Sequence, residues 1–292
     1  MKSSYLINLG LIILLVGLYW FNNHSNTPSS TDTKLTLIDS ETVEHIIISQ
    51  ANRAEIILDK TAGQWQLTTP LTAHANPTRI NLLLSLLTIN TGRQQAITKG
   101  QDLSPFGLTK DSVSLTLGQQ YFVFGNIEPI SQHRYLLHND TLYLLEDTIS
   151  PLLNTNASSF IDNRLIPEGQ NLTQITIPFY QQQTLSNQTI TLSLIDGDWQ
   201  TEQHLTADQQ VELVDNWHHA RALQVIPLDA IASEFEPSTF YANLTFDDRT
   251  EPMKLALHLN EASFFIINEK AKLAYQFPKV LYQTLLLPIP NL

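Results

Sequence analysis

The same order of elements is written twice along this chain, and that order limits the folds open to it. In the first pass, residues 44–49 and 54–58 read as strands joined by a short turn. Gly63 turns the chain into a third strand at Trp65-Gln66-Leu67. Asn76 is placed to cap, and Pro77 to open, a helix whose apolar residues Ile80, Leu83, Leu84 and Leu87 fall at i, i+3, i+4 and i+7. Gly92 is placed to end it. Residues 113–117 and 121–124 alternate around Gly118 as a hairpin, and 134–137 with 141–145 form another around Asn139-Asp140. A short helix from about Ser150 and the segment 160–165 close the unit.

The second pass keeps this order. Residues 172–179 and 189–195 read as strands, and Asp196-Gly197-Asp198 turns into Trp199-Gln200. Thr206 with Gln209 forms a capping box for a helix bearing Val211, Leu213, Val214, Trp217 and Ala220. A hairpin of 253–259 and 263–267, a strand at 273–277 and a terminal helix from about Lys279 follow. The pattern predicts a tandem duplication with its boundary near Pro167-Glu168-Gly169. The expected fold class is α+β: an N-terminal transmembrane helix followed by two tandem repeats, each an antiparallel sheet packed with one main amphipathic helix.

The transmembrane expectation rests on residues 5–21, the run YLINLGLIILLVGLYWF. At about 1.5 Å per residue it spans roughly 25 Å, slightly short of a ~30 Å hydrocarbon core; its flanks make up the difference, with Tyr19, Trp20 and Phe21 where an interfacial aromatic belt would lie. Lys2 supplies the positive-inside bias, so the expected topology is N-in with the body outside the cytoplasm. The rival is a cleaved secretory signal. The run is followed by Tyr-Trp-Phe-Asn-Asn-His rather than a small-x-small cleavage site, which favours an uncleaved anchor. The expected division is thus 1–4 cytoplasmic, 5–21 anchor, 22–34 flexible spacer, 35–166 first repeat and 167–292 second, diverged repeat.

Composition narrows the chemistry. There is no cysteine, which removes disulfides, thiolate metal sites, iron–sulfur clusters, cysteine nucleophiles and lipoprotein lipidation together. A net charge of −12 spread along the chain argues against nucleic acid and against anionic membrane surfaces as partners. No Gly-x-Ser-x-Gly elbow, glycine-rich phosphate loop or dinucleotide fingerprint occurs. His218-His219 is the only adjacent pair among nine histidines, and helical neighbours point about 100° apart, which is wrong for chelating one metal. Asp196-Gly197-Asp198 lacks the further ligands of a calcium loop and reads as a hairpin turn. No catalytic residue, cofactor or metal site is assigned from these patterns.

Twelve positions stand out as a set. They are Trp65-x-Leu67-x-x-Pro70, Phe106-Gly107-Leu108, Gly125, Tyr135 and Phe160-x-Asp162-x-Arg164-Leu165. With the helix after Pro70, these motifs resemble the bacterial domain of unknown function DUF4340, over roughly residues 45–165. The second repeat lacks both the Phe-Gly-Leu and the Phe-x-Asp-x-Arg elements. The resemblance implies a membrane-anchored envelope protein without known activity, often encoded beside ABC-type transport or gliding-associated components. Each motif also has a structural account. Trp65 and Trp199 each follow a turn and would bury under the helix, Gly107 would supply a backbone conformation closed to other residues, and Asp162 with Arg164 would share a strand face as a local ion pair.

These readings converge on a non-enzymatic, single-pass protein of the bacterial inner membrane. It is expected to act as an accessory or scaffold for a membrane complex, of the ABC-transporter-associated kind, with a protein partner in the inner membrane or periplasm. The alternatives are a peptide- or glycan-binding module using a groove between the repeats, lined by Trp217, Tyr241 or Tyr282, and an envelope hydrolase with an unrecognised carboxylate or Ser/His site.

Overall fold

The computed structural model describes residues 33–288, so the 5–21 run, residues 1–4 and the spacer up to residue 32 lie outside the described residues. The chain opens with β1 (Thr33–Lys34), β2 (His45–Ser49), β3 (Ile56–Thr61), β4 (Gln64–Thr69) and β5 (Ala73–His74). Helix α1 (Pro77–Leu84) leads to β6 (Asn90–Thr91), β7 (Arg93–Ala96), β8 (Ser114–Leu117) and β9 (Gln120–Ile127). Then come β10 (Arg134–His138), β11 (Thr141–Leu145) and α2 (Ser150–Leu153). The rest comprises β12 (Leu172–Gln181), β13 (Thr184–Ile195), β14 (Asp198–Gln200), α3 (Ala207–His218) and β15 (Gln224–Pro227). It closes with β16 (Tyr241–Phe246), β17 (Met253–Leu259), β18 (Ser263–Asn268), β19 (Leu273–Pro278) and α4 (Tyr282–Leu285).

This corrects the α+β expectation. The described protein is mostly two antiparallel sheets, of nine and eight strands, with few helices. Among the described residues no helix is long and apolar enough to cross a membrane, so the expected transmembrane helix is not among the elements seen. The main helix of the first expected repeat is also shorter than its apolar period. Asn76 caps α1 as predicted, its Oδ1 accepting the Arg79 N–H at 3.2 Å. After 8 residues the chain tightens into a 3-10 turn at Ser85–Thr88, so the helical period around Leu87 is only partly α-helical. Gly92 does not end this helix; it lies between β6 and β7, where a side chain would press on the Leu144 carbonyl at 3.3 Å. Most of the apolar residues sit in alternating segments, and those pair.

By internal contacts the chain forms two compact units that do not follow chain order. One holds the described part of Met1–Val43, Ser49–Arg53 and Leu83–Leu153. It contains the β8-β9-β10-β11-β7 run of the nine-stranded sheet and the small β1-β6 ladder. Its core includes Leu115, Leu117, Phe122 and Leu136. Buried His138 stacks on Phe122 with centroids 4.4 Å apart, and its Nδ1 meets the Tyr121 carbonyl at 2.9 Å. The β10–β11 turn puts Asn139 and Asp140 at φ 46° and 55°, the left-handed pair that matches strand twist in a two-residue hairpin.

The other unit holds Glu44–Ile48, Ala54–Leu82 and the described part of Asn154–Leu292. It contains the β5-β4-β3-β2 run and the whole eight-stranded sheet, ordered β14-β13-β12-β16-β17-β18-β19-β15. In β18 the residues Ser263 to Ile267 are all buried. Phe265 and Ile267 pack with Ala256 and Ala274 under Ile226, Leu228, Ile231 and Phe235. Phe264 and Ile266, of opposite parity, are buried as well. A strand covered on both faces reads as a continuous apolar run, which explains the unbroken SFFII. Helix α3 carries the predicted capping box of Thr206 and Gln209, and its Trp217 is fully buried, donating from Nε1 to the Leu285 carbonyl of α4 at 2.6 Å.

Candidate functional site

The twelve motif positions fall into two clusters. The first lies in the unit that contains β8–β11. Ser104–Phe106 forms a 3-10 turn that ends on Gly107 with φ 72°. A side chain at Gly107 would run into Asn126, and one at Gly125 on β9 would run into the Phe106 carbonyl. The turn therefore sits directly on the strand. Leu108 is buried, and the Phe106 ring meets Tyr135 edge-to-face at 4.9 Å. Arg134 closes the arrangement: Nη1 donates to the Gly125 carbonyl at 2.5 Å and Nε to Asp147 Oδ2 at 2.6 Å. Burial pushes the Asp147 carboxyl up, but hydrogen bonds from Arg134 and Ser150 outweigh it and hold it below its usual value. The pocket beside this pair encloses about 20 Å³, enough for one water and no organic ligand. This cluster is a closure point.

The second cluster lies in the other unit. Leu67 on β4 is fully buried, and Trp65 on the same strand is half-buried. Pro70, exposed, follows β4 through a cis peptide bond from Thr69. The 157–165 segment is stitched to β5 by main-chain bonds. Asn76 N–H donates to the Phe160 carbonyl at 2.7 Å and Asp162 N–H to the His74 carbonyl at 2.8 Å. Phe160 and Leu165 anchor the segment in the core, and Leu165 N–H donates to the Ala220 carbonyl at 3.0 Å. Buried Asp162 accepts the Arg164 N–H at 3.1 Å and Arg164 Nε at 2.8 Å. Arg164 Nη1 reaches Glu168 at 2.5 Å. Burial works against the Arg164 charge, yet the Glu168 and Asp162 hydrogen bonds prevail and raise its pKa. The hydrogen bond from Arg164 likewise lowers that of exposed Glu168.

Unlike the first cluster, this one opens onto space. Asp162 and Arg164 line a cleft of about 270 Å³ together with His74, Arg249, Asn268 and Tyr275. A second cleft of about 210 Å³, walled by Trp65 and Glu168, shares His74, Asp162 and Arg164 with it. Arg249, Met253, Asn268 and Ala271 also line a neighbouring, wider and open bowl of about 890 Å³. Tyr275 is only 9% exposed. Burial, with the Asp162 charge adding to it, pushes its phenol up to about 12.

Sequence patterns pointed to Asp162 and Arg164 but not to Tyr275, Arg249 or His74. A signal existed for Tyr275: it shares strand parity with Leu273 and Phe277, a hydroxyl placed where the pattern asks for an apolar residue. Other expected positions fall elsewhere. Trp65 and Trp199 are strand residues of intermediate exposure, neither fully buried; among the described residues the fully buried indole is that of Trp217. Trp217 and Tyr282 are core residues and cannot line a groove, while Tyr241 lies under the Lys254 ammonium at 3.7 Å. His218 and His219 are exposed, with rings 5.1 Å apart, and His219 Nδ1 meets Asp215 Oδ1 at 3.0 Å. Among the described residues no group of three or more metal-ligating side chains comes together.

Fold and motif clusters define an antiparallel two-sheet protein whose motif residues stitch turns and loop segments onto strands. The chain belongs to the family described as a domain of unknown function (DUF4340), whose model matches residues 65–237, more than half of its length. The match begins at Trp65 and continues past Leu165, the expected end of the resemblance, through β12–β15. No curated protein and no solved structure matches the chain.

Proposed function

We propose that this is a non-enzymatic envelope protein, an accessory subunit of a membrane complex that takes an extended segment of a protein partner onto the free edge of β13. That edge carries the reading. β13 runs for 12 residues, pairs with β12 on one side, and meets β14 on the other only at Ser193, Leu194 and Ile195. Among the described residues no strand pairs with 184–192 on that side. The strand bulges at 186–188, where its register with β12 shifts and the Gln188 N–H bonds the Ser186 Oγ; on either side of that bulge the edge leaves N–H and C=O groups as a template for strand addition, which natural edges also blunt with lysine or proline. Residues 184–195 contain neither.

The location follows from sequence: the 5–21 run as attachment, Lys2 as the inside flank, and a cysteine-free body outside the cytoplasm. An inner-membrane complex of the ABC-transport kind is the setting the family resemblance suggests. Purification of the full chain from membranes in mild detergent tests it; a stably co-eluting partner is the expected result. Recovery only as an isolated monomer counts against the accessory role. Asn187→Lys with Thr189→Lys places two charges along the edge and is expected to release the partner without changing the melting temperature. A partner retained at full yield by that variant removes β13 as the contact.

A further inference from the structure

The cleft beside Asp162 contains a buried group that the fold leaves unused. Tyr275 is more than nine-tenths buried and lines the cleft, and among the described residues its hydroxyl has no hydrogen-bond partner. The ring is buried while the hydroxyl itself opens on the cleft, where it is a donor that the fold does not use. A cleft of about 270 Å³ exceeds what one water needs several-fold and approaches the ~300 Å³ at which small-molecule sites begin. It shares Arg249, Met253, Asn268 and Ala271 with the wider bowl lined by residues 247–254 and 268–271.

The lining specifies the chemistry of that occupant. Arg164 spends Nε and Nη1 on Asp162 and Glu168, two carboxylates that satisfy its charge. Arg249 bonds Asp248 through Nε and Gln170 through Nη2, which leaves Nη1 for a ligand. Asn268 uses its Oδ1 on the Ala271 N–H at 3.0 Å, which leaves its amide donors. Tyr275, protonated throughout the physiological range, is a further donor. Against these donors stands Asp162, whose oxygens have acceptor capacity beyond the Arg164 bonds. A phosphate dianion would meet that carboxylate's repulsion; Arg249, already paired with Asp248 and lying over the Phe246 ring, offers Nη1 as a charge-assisted donor, which a ligand carboxylate accepts more strongly than a neutral sugar hydroxyl does. We infer that this cleft binds a small molecule bearing one carboxylate, which Arg249 and Tyr275 receive, and adjacent amine or hydroxyl donors, which Asp162 receives. Free amino acids and sugar acids share that chemistry.

Titration calorimetry on the full chain in mild detergent tests this with D- and L-alanine, glucuronate, glucose and inorganic phosphate. Binding by the alanines or by glucuronate is expected, with none by glucose or phosphate. Which of the two classes binds identifies the source. Tyr275→Phe removes only the hydroxyl and is expected to weaken the bound probe by about tenfold or more, the scale of one hydrogen bond to a charged group. Its melting temperature should be unchanged or higher, because the deleted hydroxyl has no partner. Arg249→Gln should abolish binding. The inference is overturned if no probe binds, if glucose or phosphate binds as tightly as the carboxylates, or if Tyr275→Phe binds them like the native chain.

Discussion

Gly107 and Gly125 belong to one closure but must be glycine for different reasons. Gly107 combines φ 72° with the Asn126 side chain, which can swing aside, so Gly107→Ala is expected to cost mainly the left-handed backbone penalty of about 1–2 kcal/mol. At Gly125 the obstacle is the Phe106 main chain, which cannot move without lifting the turn off β9. Gly125→Ala is therefore expected at the upper end of the about 1–3 kcal/mol typical of overpacking, or beyond it. Urea unfolding of the two variants checks the order; equal losses would mean the turn yields. Asp147 makes a separate prediction. Its folded pKa lies below its unfolded value, so it adds stability at neutral pH that is lost as pH falls from about 4 through the folded pKa. Asp147→Asn should be less stable than the native chain at pH 7, with the gap closing on acidification below about pH 4. A gap constant with pH would show that the loss is one of packing alone.

Among the elements, α3 was legible because its signals are local. The Thr206 and Gln209 box and the Leu213, Val214, Trp217 stripe are set by spacing along one helix. Thr206→Ala is expected to cost about 1 kcal/mol and Trp217→Ala about 3–5 kcal/mol, since the latter also leaves the Leu285 carbonyl unpaired. Thermal unfolding would separate them; similar shifts would place Trp217 in a site that collapses readily. Strand β16 was missed although Ala242, Leu244 and Phe246 alternate inward. Strand β7, with all four of its residues Arg93-Gln94-Gln95-Ala96 exposed, carries no period at all and exists because β11 offers it an edge. Helix α1 shows the reverse error. Its helical period extends to Leu87, but the α-helix stops at Leu84.

For the whole molecule, the proposed attachment through the 5–21 run can be tested by fractionation. Expressed in a bacterium, the full chain is expected in the membrane fraction, resistant to salt washing, and a chain beginning at residue 22 in the soluble fraction. A full chain that washes off with salt would dismiss the anchor. Sequence by itself determined the strand and turn positions with strong period-two patterns, the α3 cap, the exclusion of thiol chemistry, and the DUF4340 motifs later matched over residues 65–237. These depend on neighbours a few residues apart. Only the tertiary structure decided that sheets outweigh helices, that 54–82 packs in one compact unit with 154–288, and that Tyr275, Arg249 and His74 line the Asp162 cleft. His74 and Tyr275 lie some two hundred positions apart in the chain. Their approach depends on long-range strand pairing and burial, which leave no spacing to read.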